Sequence, residues 1–194
     1  CAEKIYRGIQ RASAIIENLL KYSHTSMTTR TTLVNLVLLI KETLTLVTYH
    51  ANAHKVDMKT SFPQENIMVQ GVATLLQQVF MNLFLNAITA MPDGGLLKID
   101  AHTEDTKVCV QVGDTGCGMS QGEIEKIFDP FYTSSTIGKG TGLGLSICYS
   151  IVKQHHGAIA VESAEGRGST FTVKLPVSYG GVSREPGKRP VSRC

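Results

Sequence analysis

Three groups of residues carry the types and spacings that ligand chemistry needs. The first is Gln78, Asn82 and Asn86, spaced by four within a stretch from Val72 to Met91 that contains no charged residue. On a helix these amides form one stripe, with Thr89 one turn further on. Val72, Leu75, Leu76, Val79, Leu83, Ala87 and Ala90 then form the opposite, core-facing side. A solvated helix face is the plainer alternative, but such faces are normally built of Lys and Glu, and Asn is a mediocre helix former. Side-chain carbonyl oxygens one turn apart can supply one or two ligands to a magnesium ion, which takes its remaining positions from water and substrate phosphates.

The second group is Asp114-Thr115-Gly116-Cys117-Gly118-Met119, directly after a strand pattern. Glycines at 116 and 118 let the backbone approach a flat ligand or take positive φ. A carboxylate at a strand end can accept a hydrogen bond from an exocyclic amine such as that of adenine. Taken alone, the D-x-G-x-G pattern is read more simply as a Gly-rich turn. Cys117 is expected to line the pocket, since a redox role requires exposure and a lowered pKa.

The third group, Gly138-Lys139-Gly140-Thr141-Gly142-Leu143-Gly144-Leu145-Ser146, opens a helix. Free N–H groups and the helix dipole make such a start a phosphate site, and Lys139 adds a point charge suited to terminal phosphates. The run is not a Walker loop, because G-x-x-x-x-G-K-[ST] does not occur. A dinucleotide fingerprint should follow a strand within a parallel unit, whereas this run follows a loop after an antiparallel pair. Between the second and third groups lies Phe128-Asp129-Pro130-Phe131-Tyr132-Thr133-Ser134. It opens a Gly/Ser/Thr-rich loop of about a dozen residues, a length at which loops often act as lids. Aromatic packing beneath the loop is compatible with that role.

These groups need a scaffold, and the hydrophobic pattern supplies one. A helix is predicted over about Asn35–Ala53, strands at Val56–Phe62 and Ile67–Val69, and the uncharged helix over Val72–Met91, stopped by Pro92-Asp93-Gly94-Gly95. A hairpin of Leu96–His102 and Lys107–Val112 follows, then a short helix near Gln121–Ile127 and a helix from Leu143 to His156 that ends at Gly157. Strands Ala158–Ser163 and Thr170–Leu175 close the domain. The fold class is α/β, a two-layer sandwich with a mixed, mostly antiparallel sheet covered by helices, spanning 33–176.

Ahead of it, residues 1–25 carry a seam of Ile5, Ile9, Ala12, Ile16, Leu19 and Ser23 with steps of four and three. That is the 3.5-residue period of a coiled coil or bundle, and Ile15 and Leu20 widen the face toward a four-helix bundle. An amphipathic helix packed on its own domain would show the same period. Residues 26–32 read as a linker, and 177–194 as a disordered basic tail.

Net charge is +3 over 194 residues, and residues 178–194 carry all of it through Arg184, Lys188, Arg189 and Arg193 against Glu185. The neutral body argues against a nucleic-acid binder, whose footprint would be a basic patch on the folded domain. Leu33–Val47 is interrupted by Lys41 and Glu42, and Val72–Met91 holds four side-chain amides. Neither therefore reads as a membrane span, and no membrane contact is expected. Five cysteines without C-x-x-C or zinc spacing fit a reducing, cytoplasmic compartment. Position 1 is not Met, so the chain is expected to be a piece of a longer one, with no signal peptide.

The order Asn82-x-x-x-Asn86, Asp114-x-Gly116-x-Gly118, Phe128-x-x-Phe131, Gly140-x-Gly142-x-Gly144 resembles the N, first glycine, F and second glycine boxes of the sensor histidine kinases of two-component systems. These belong to the wider ATPase group of gyrase B, MutL and the heat-shock chaperones (the Bergerat-type ATP-binding fold). The resemblance covers about residues 30–176. Asn-Ala-Ile-Thr-Ala-Met-Pro-Asp-Gly-Gly looks like the nitrogen-regulation branch. Arg11-x-x-x-Ile15-Ile16-x-x-Leu19-Leu20 resembles the second helix of the dimerisation and phosphotransfer hairpin.

The resemblance implies Mg-ATP as the bound nucleotide. Asn86, helped by Asn82, would hold the magnesium, and Asp114 would read adenine. Gly116, Gly118, Gly140, Gly142, Leu143 and Gly144 would shape the nucleotide bed with Phe128 and Phe131. Lys139 and Thr141 would sit by the phosphates under a lid over about 129–140, and Thr170 would support the adenine pocket. It also implies a homodimer through the N-terminal helix, a response-regulator receiver domain as partner, and a cytoplasmic location, free or as part of a membrane-anchored sensor.

Gyrase-like hydrolases carry a Glu general base at the position of Asn82. An amide cannot take that proton, which favours phosphoryl transfer to an imidazole over attack by water. Two departures stand out. Thr89 occupies a position where many such kinases have Lys or Arg. None of the six histidines, His24, His50, His54, His102, His155 and His156, is followed by an acidic residue as in the phosphoacceptor motif. His155 and His156 are read as dipole-compensating residues at a helix end. An ATP-switched conformational ATPase and a non-catalytic nucleotide-binding module stand as the alternatives.

Overall fold

The computed structural model describes residues 30–133 and 141–178. The N-terminal seam, most of the linker, Lys139, Gly140 and the tail from 179 onward lie outside them.

Strand β1 (Thr32–Asn35) leads into helix α1 (Leu36–Ala53), followed by β2 (Val56–Ser61) and β3 (Met68–Gly71). Helix α2 (Ala73–Thr89) is next, then the hairpin of β4 (Gly95–Glu104) and β5 (Lys107–Asp114). A single turn α3 (Gln121–Ile124), helix α4 (Gly144–Gln154) and strands β6 (Ala158–Ser163) and β7 (Ser169–Pro176) complete the described chain. Five strands form one sheet in the order β2-β4-β5-β7-β6, in which only the β2–β4 pair is parallel. This is the mixed, mostly antiparallel sheet expected. β1 and β3 form a separate antiparallel pair.

The alternation along the central strands explains the layering. Leu97, Ile99 and Ala101 of β4, Val108, Val110 and Val112 of β5, and Phe171, Val173 and Leu175 of β7 are all buried on one face, as a period of two requires. Helices α1, α2 and α4 cover that face. α2 buries a wider stripe than its amide pattern predicts. Phe80, Phe84 and Ile88 are buried along with Leu75, Leu76, Val79, Leu83 and Ala87, because α2 packs against both α1 and α4 while also facing the sheet. The rings of Phe80 and Phe84 lie 6.2 Å apart at its centre.

Asn35 caps α1 by accepting from the Leu38 N–H at 3.2 Å. Its own amide donates to Asn66 at 3.0 Å, so one residue ends β1, starts α1 and ties both to the loop before β3. Thr32, read from composition as the last linker residue, opens β1 and pairs with Gly71. At the other end Val177 bridges to Val69, and the Ser178 N–H donates to the Met68 carbonyl at 2.7 Å. The ordered strand register therefore runs two residues into the segment assigned to the tail.

Candidate functional site

Asp114 ends β5 where the strand leaves the sheet, and it is 9% exposed. Its Oδ1 accepts from the Gly116 N–H at 2.8 Å and from the Ser169 N–H at 3.2 Å. Burial pushes the Asp114 carboxyl up, against the opposing pull of those two backbone donors. Both donors go to the same oxygen, and among the described residues no buried side-chain oxygen lacks a partner. Oδ2 is therefore the oxygen left open to a ligand donor.

The glycines around it are required by contact. A Cβ on Gly116 would stand 2.5 Å from the Ala90 carbonyl oxygen, and Gly118 (φ 67°) would drive one to 1.9 Å from that of Ala164. Gly168 (φ 78°) passes the Asp114 carbonyl oxygen so closely that a Cβ would come within 2.0 Å. The Cys117 N–H donates to the Ala90 carbonyl at 3.1 Å, which ties the loop to the end of α2. Thr170 stands opposite Gly113 in the register.

Ser163 and Ser169 had no motif to announce them, yet they brace the site. Ser163 Oγ accepts from the Met119 N–H at 2.9 Å, donates to the Gly168 carbonyl at 2.8 Å and lies 3.0 Å from Ser169 Oγ. The available signal was their position at the facing ends of β6 and β7, around Gly166-x-Gly168.

The second wall is α2. Asn82 and Asn86 share its stripe but differ in engagement. Asn82 is half-buried, and its Nδ2 donates to the Gly144 carbonyl at 3.3 Å, which joins the amide helix to the first turn of α4. Asn86 is exposed, and no side-chain hydrogen bond to it appears among the described residues. Thr89 is also exposed, but its hydroxyl is used by the Leu85 carbonyl at 2.7 Å. Beneath Asn82 lies the Cys148 thiol, pushed up to about 12 by burial, so it is an inert packing group.

The third wall is the start of α4. Leu143, at the N-cap position, is buried and provides no side-chain cap. The first-turn N–H groups are therefore uncapped donors beside Thr141 and Gly142. Phe128 packs its ring 5.6 Å from that of Tyr149 on α4. Phe131 instead points outward, 57% exposed, at φ 67°. Its N–H donates to the Gly142 carbonyl at 2.8 Å, which clamps the F and second glycine segments together on either side of residues 134–140.

His155, read from the sequence as compensating a helix dipole, does sit at the C-terminal end of α4, but it is buried and its ring is engaged elsewhere. Its Nε2 accepts from the Val72 N–H at 3.0 Å and its Nδ1 lies 2.7 Å from the Ile151 carbonyl. Those partners fix a neutral ring with the proton on Nδ1, serving as the missing cap of α2.

The Asp114 loop therefore adjoins the end of α2 through the Cys117–Ala90 bond, and α2 adjoins the start of α4 through Asn82 and Gly144. Residues 71–179 match the family model described as histidine kinase-, DNA gyrase B- and HSP90-like ATPases. The chain belongs to that family.

Its curated relatives are histidine kinases. Sporulation kinase B of Bacillus subtilis is 34% identical over 87% of this chain and 39% of its own. The sensor histidine kinase ZraS of Escherichia coli is 38% identical over 75% of this chain and 31% of its own. The chain thus spans only 39% and 31% of the length of these two relatives. Among solved structures, the catalytic domain of histidine kinase ThkA in a nucleotide-free form superposes with a TM-score of 0.70 at 36% identity, covering 76% of this chain and 96% of that one. ThkA has also been solved in complex with the response regulator TrrA, matching at a TM-score of 0.71 and 32% identity over 88% of this chain and 48% of that one. Among the described residues no helix is long and apolar enough to cross a membrane.

Proposed function

We propose that this chain is the ATP-binding catalytic region of a protein-histidine kinase, acting on a histidine outside the chain. The phosphoryl group would pass from there to an aspartate of a response-regulator receiver domain. The ThkA–TrrA complex supports the class of partner, and the kinase relatives support the class of reaction. Asp114 Oδ2 would read the adenine amine. Gly116, Gly118, Gly140, Gly142 and Gly144 would let the backbone close on the nucleotide, with Phe128, Phe131, Leu143 and Thr170 shaping the walls. Asn86, with the carbonyl side of Asn82, would hold magnesium, which when bound neutralises charge on the phosphates. Lys139 and Thr141 would face the terminal phosphates. Dimerisation through residues 1–25 and a cytoplasmic location belong to the same reading.

One observation favours phosphotransfer over hydrolysis. Asn82 is an amide whose N–H is given to the Gly144 carbonyl, so the side chain is held as a spacer between α2 and α4 and cannot accept a proton from water. A neutral imidazole needs no such base, and the protein's task reduces to position and electrostatics.

The test is a labelling experiment with γ-labelled ATP on this chain alone and beside a separate phosphotransfer-helix fragment from the same protein. Acid-labile label is expected on the added fragment only. Fast ATP turnover without any label would move the chain into the hydrolase class. Replacing Lys139 by Ala should weaken ATP more than ADP, as its charge belongs to the terminal phosphate; equal loss for both nucleotides would remove it from that role.

A further inference from the structure

The face of the sheet opposite the helices carries its own polar cluster, which nucleotide chemistry does not use. Asp100, His102 and Glu104 alternate along β4 on that face, while Ile99 and Ala101 are buried on the other. In register with His102 stands Cys109 of β5, and in register with Cys109 on its other side stands Lys174 of β7. Cys109 is thus flanked on both sides and only 2% exposed. The imidazole, carboxylate and thiol donor atoms of His102, Glu104 and Cys109 all lie within 4.8 Å of one another.

We propose that His102, Glu104 and Cys109 form a binding site for a borderline-soft divalent cation of the zinc type, separate from the nucleotide site. The donor set is the argument. Thiolate, imidazole and carboxylate together suit zinc, whose bonds of about 2.0–2.3 Å place tetrahedral ligands about 3.5 Å apart. Within the observed spread His102 Nε2 and Glu104 Oε1 already stand 3.2 Å apart.

A second feature points the same way. His102 Nδ1 lies 2.6 Å from Asp100 Oδ1, while Nε2 faces Glu104 Oε1 at 3.2 Å. A carboxylate on the far nitrogen, with the near one turned toward the other ligands, is the arrangement that orients metal-bound histidines; here the near nitrogen is hydrogen-bonded to Glu104. Asp100 is thus the positioning residue, and it stands in register with Ser61 of β2.

Binding requires Cys109 to give up its thiol proton and His102 the proton that Nε2 shares with Glu104, both to solvent, and no electron changes hands. The ion must also displace Lys174 from Glu104, to which it is paired at 3.1 Å. Along β5 the cluster lies five residues from Asp114, roughly 17 Å at strand rise, so occupancy should leave nucleotide affinity unchanged.

The experiment is a cobalt(II) titration of the full chain without nucleotide, read by tetrahedral d–d and sulfur-to-cobalt charge-transfer bands, with zinc competing the signal away. His102→Gln and Cys109→Ser should each weaken binding by more than tenfold. Asp100→Asn should weaken it roughly tenfold, as loss of an orienting carboxylate does. Lys174→Met, which only removes the competing cation, should tighten it. Absence of charge-transfer bands at millimolar cobalt overturns the proposal, as do bands that survive both His102→Gln and Cys109→Ser. His102 and Glu104 are surface residues, so His102→Gln with Glu104→Gln decides the matter if Cys109→Ser does not fold. Adenine-nucleotide affinity, measured in parallel, reports on the nucleotide reading independently.

Discussion

Phe131 and Gly142 are joined backbone to backbone across the segment that separates them. The Phe131 N–H donates to the Gly142 carbonyl at 2.8 Å, and both residues sit in the left-handed region, at φ 67° and 68°. Glycine holds that conformation without cost, whereas phenylalanine carries about 1–2 kcal/mol of strain there. The strain sits on an exposed aromatic, so packing does not explain it. The clasp does: it holds Phe131 and Gly142 together backbone to backbone just ahead of α4.

Gly142→Ala tests the clasp. A Cβ there would meet the Phe131 carbonyl carbon at 2.4 Å, in addition to the left-handed penalty of about 1–2 kcal/mol. The clasp should open, with loss of stability of at least that size in urea titrations and weaker ATP binding by calorimetry. Phe131→Gly should behave oppositely in stability, gaining about 1 kcal/mol, because the hydrogen bond uses only the backbone. A Gly142→Ala protein with unaltered stability and affinity would show that the clasp is incidental.

Asp114 links affinity to pH. Burial raises its folded pKa above the unfolded value, so the folded state binds this proton more tightly than the unfolded one. The stability associated with the shift is then fully present below the ordinary carboxylate pKa and is lost as pH rises through the raised value. The adenine amine needs the ionised form. ATP affinity should therefore fall on acidification at a higher pH than an exposed aspartate would give, while the empty protein gains stability from this group. Asp114→Asn should weaken ATP by about 1.5–3 kcal/mol and leave thermal stability at neutral pH no lower than before. An affinity profile that is flat through the carboxylate range would remove Asp114 from the adenine role.

The two asparagines should separate experimentally. Asn86→Ala removes an exposed amide with no partner among the described residues, so stability should stay within about 0.5 kcal/mol while the magnesium dependence of ATP binding disappears. Asn82→Ala breaks the link to the Gly144 carbonyl. It should cost about 1 kcal/mol of stability and weaken nucleotide binding with or without magnesium. Identical profiles for the two variants would mean that the stripe acts as one structural unit.

The four boxes and the strands around them were legible because each is written locally. Alternation names β4 through β7, and glycine at 116, 118 and 142 marks backbone that approaches backbone. What stayed hidden depends on partners far away in sequence. The first residue of β1 reads as linker because Thr32 gains its strand character only from pairing with Gly71. The burial of Phe80, Phe84 and Ile88 follows from α2 meeting two helices and a sheet, whereas one helix period describes one face. Ser163 and Ser169 matter through a hydroxyl contact that no spacing rule encodes. His155 looked like a helix-end cation until the Val72 N–H, 83 residues earlier, supplied its real partner.

That last contact makes a prediction of its own. Val72 starts α2 without a side-chain cap, and α2 carries both asparagines. Truncating His155 to Ala leaves the buried Val72 N–H unsatisfied and opens a cavity, a loss of about 2–4 kcal/mol, or roughly 6–15 °C in Tm. Gly71 gives the same contact from the other side. A Cβ there would stand 2.7 Å from His155 Cδ2 and 2.9 Å from Leu76 Cδ1, so Gly71→Ala should also destabilise. If the ring is what the extra methyl strikes, Gly71→Ala should cost markedly less when introduced into the His155→Ala background, where the space already exists. A double-mutant cycle read by urea unfolding measures that coupling. Strict additivity would place the cost of Gly71→Ala on Leu76 or on the backbone instead. Fast hydrogen exchange at Val72 in the His155→Ala protein, with slow exchange in the wild type, would identify the lost cap directly.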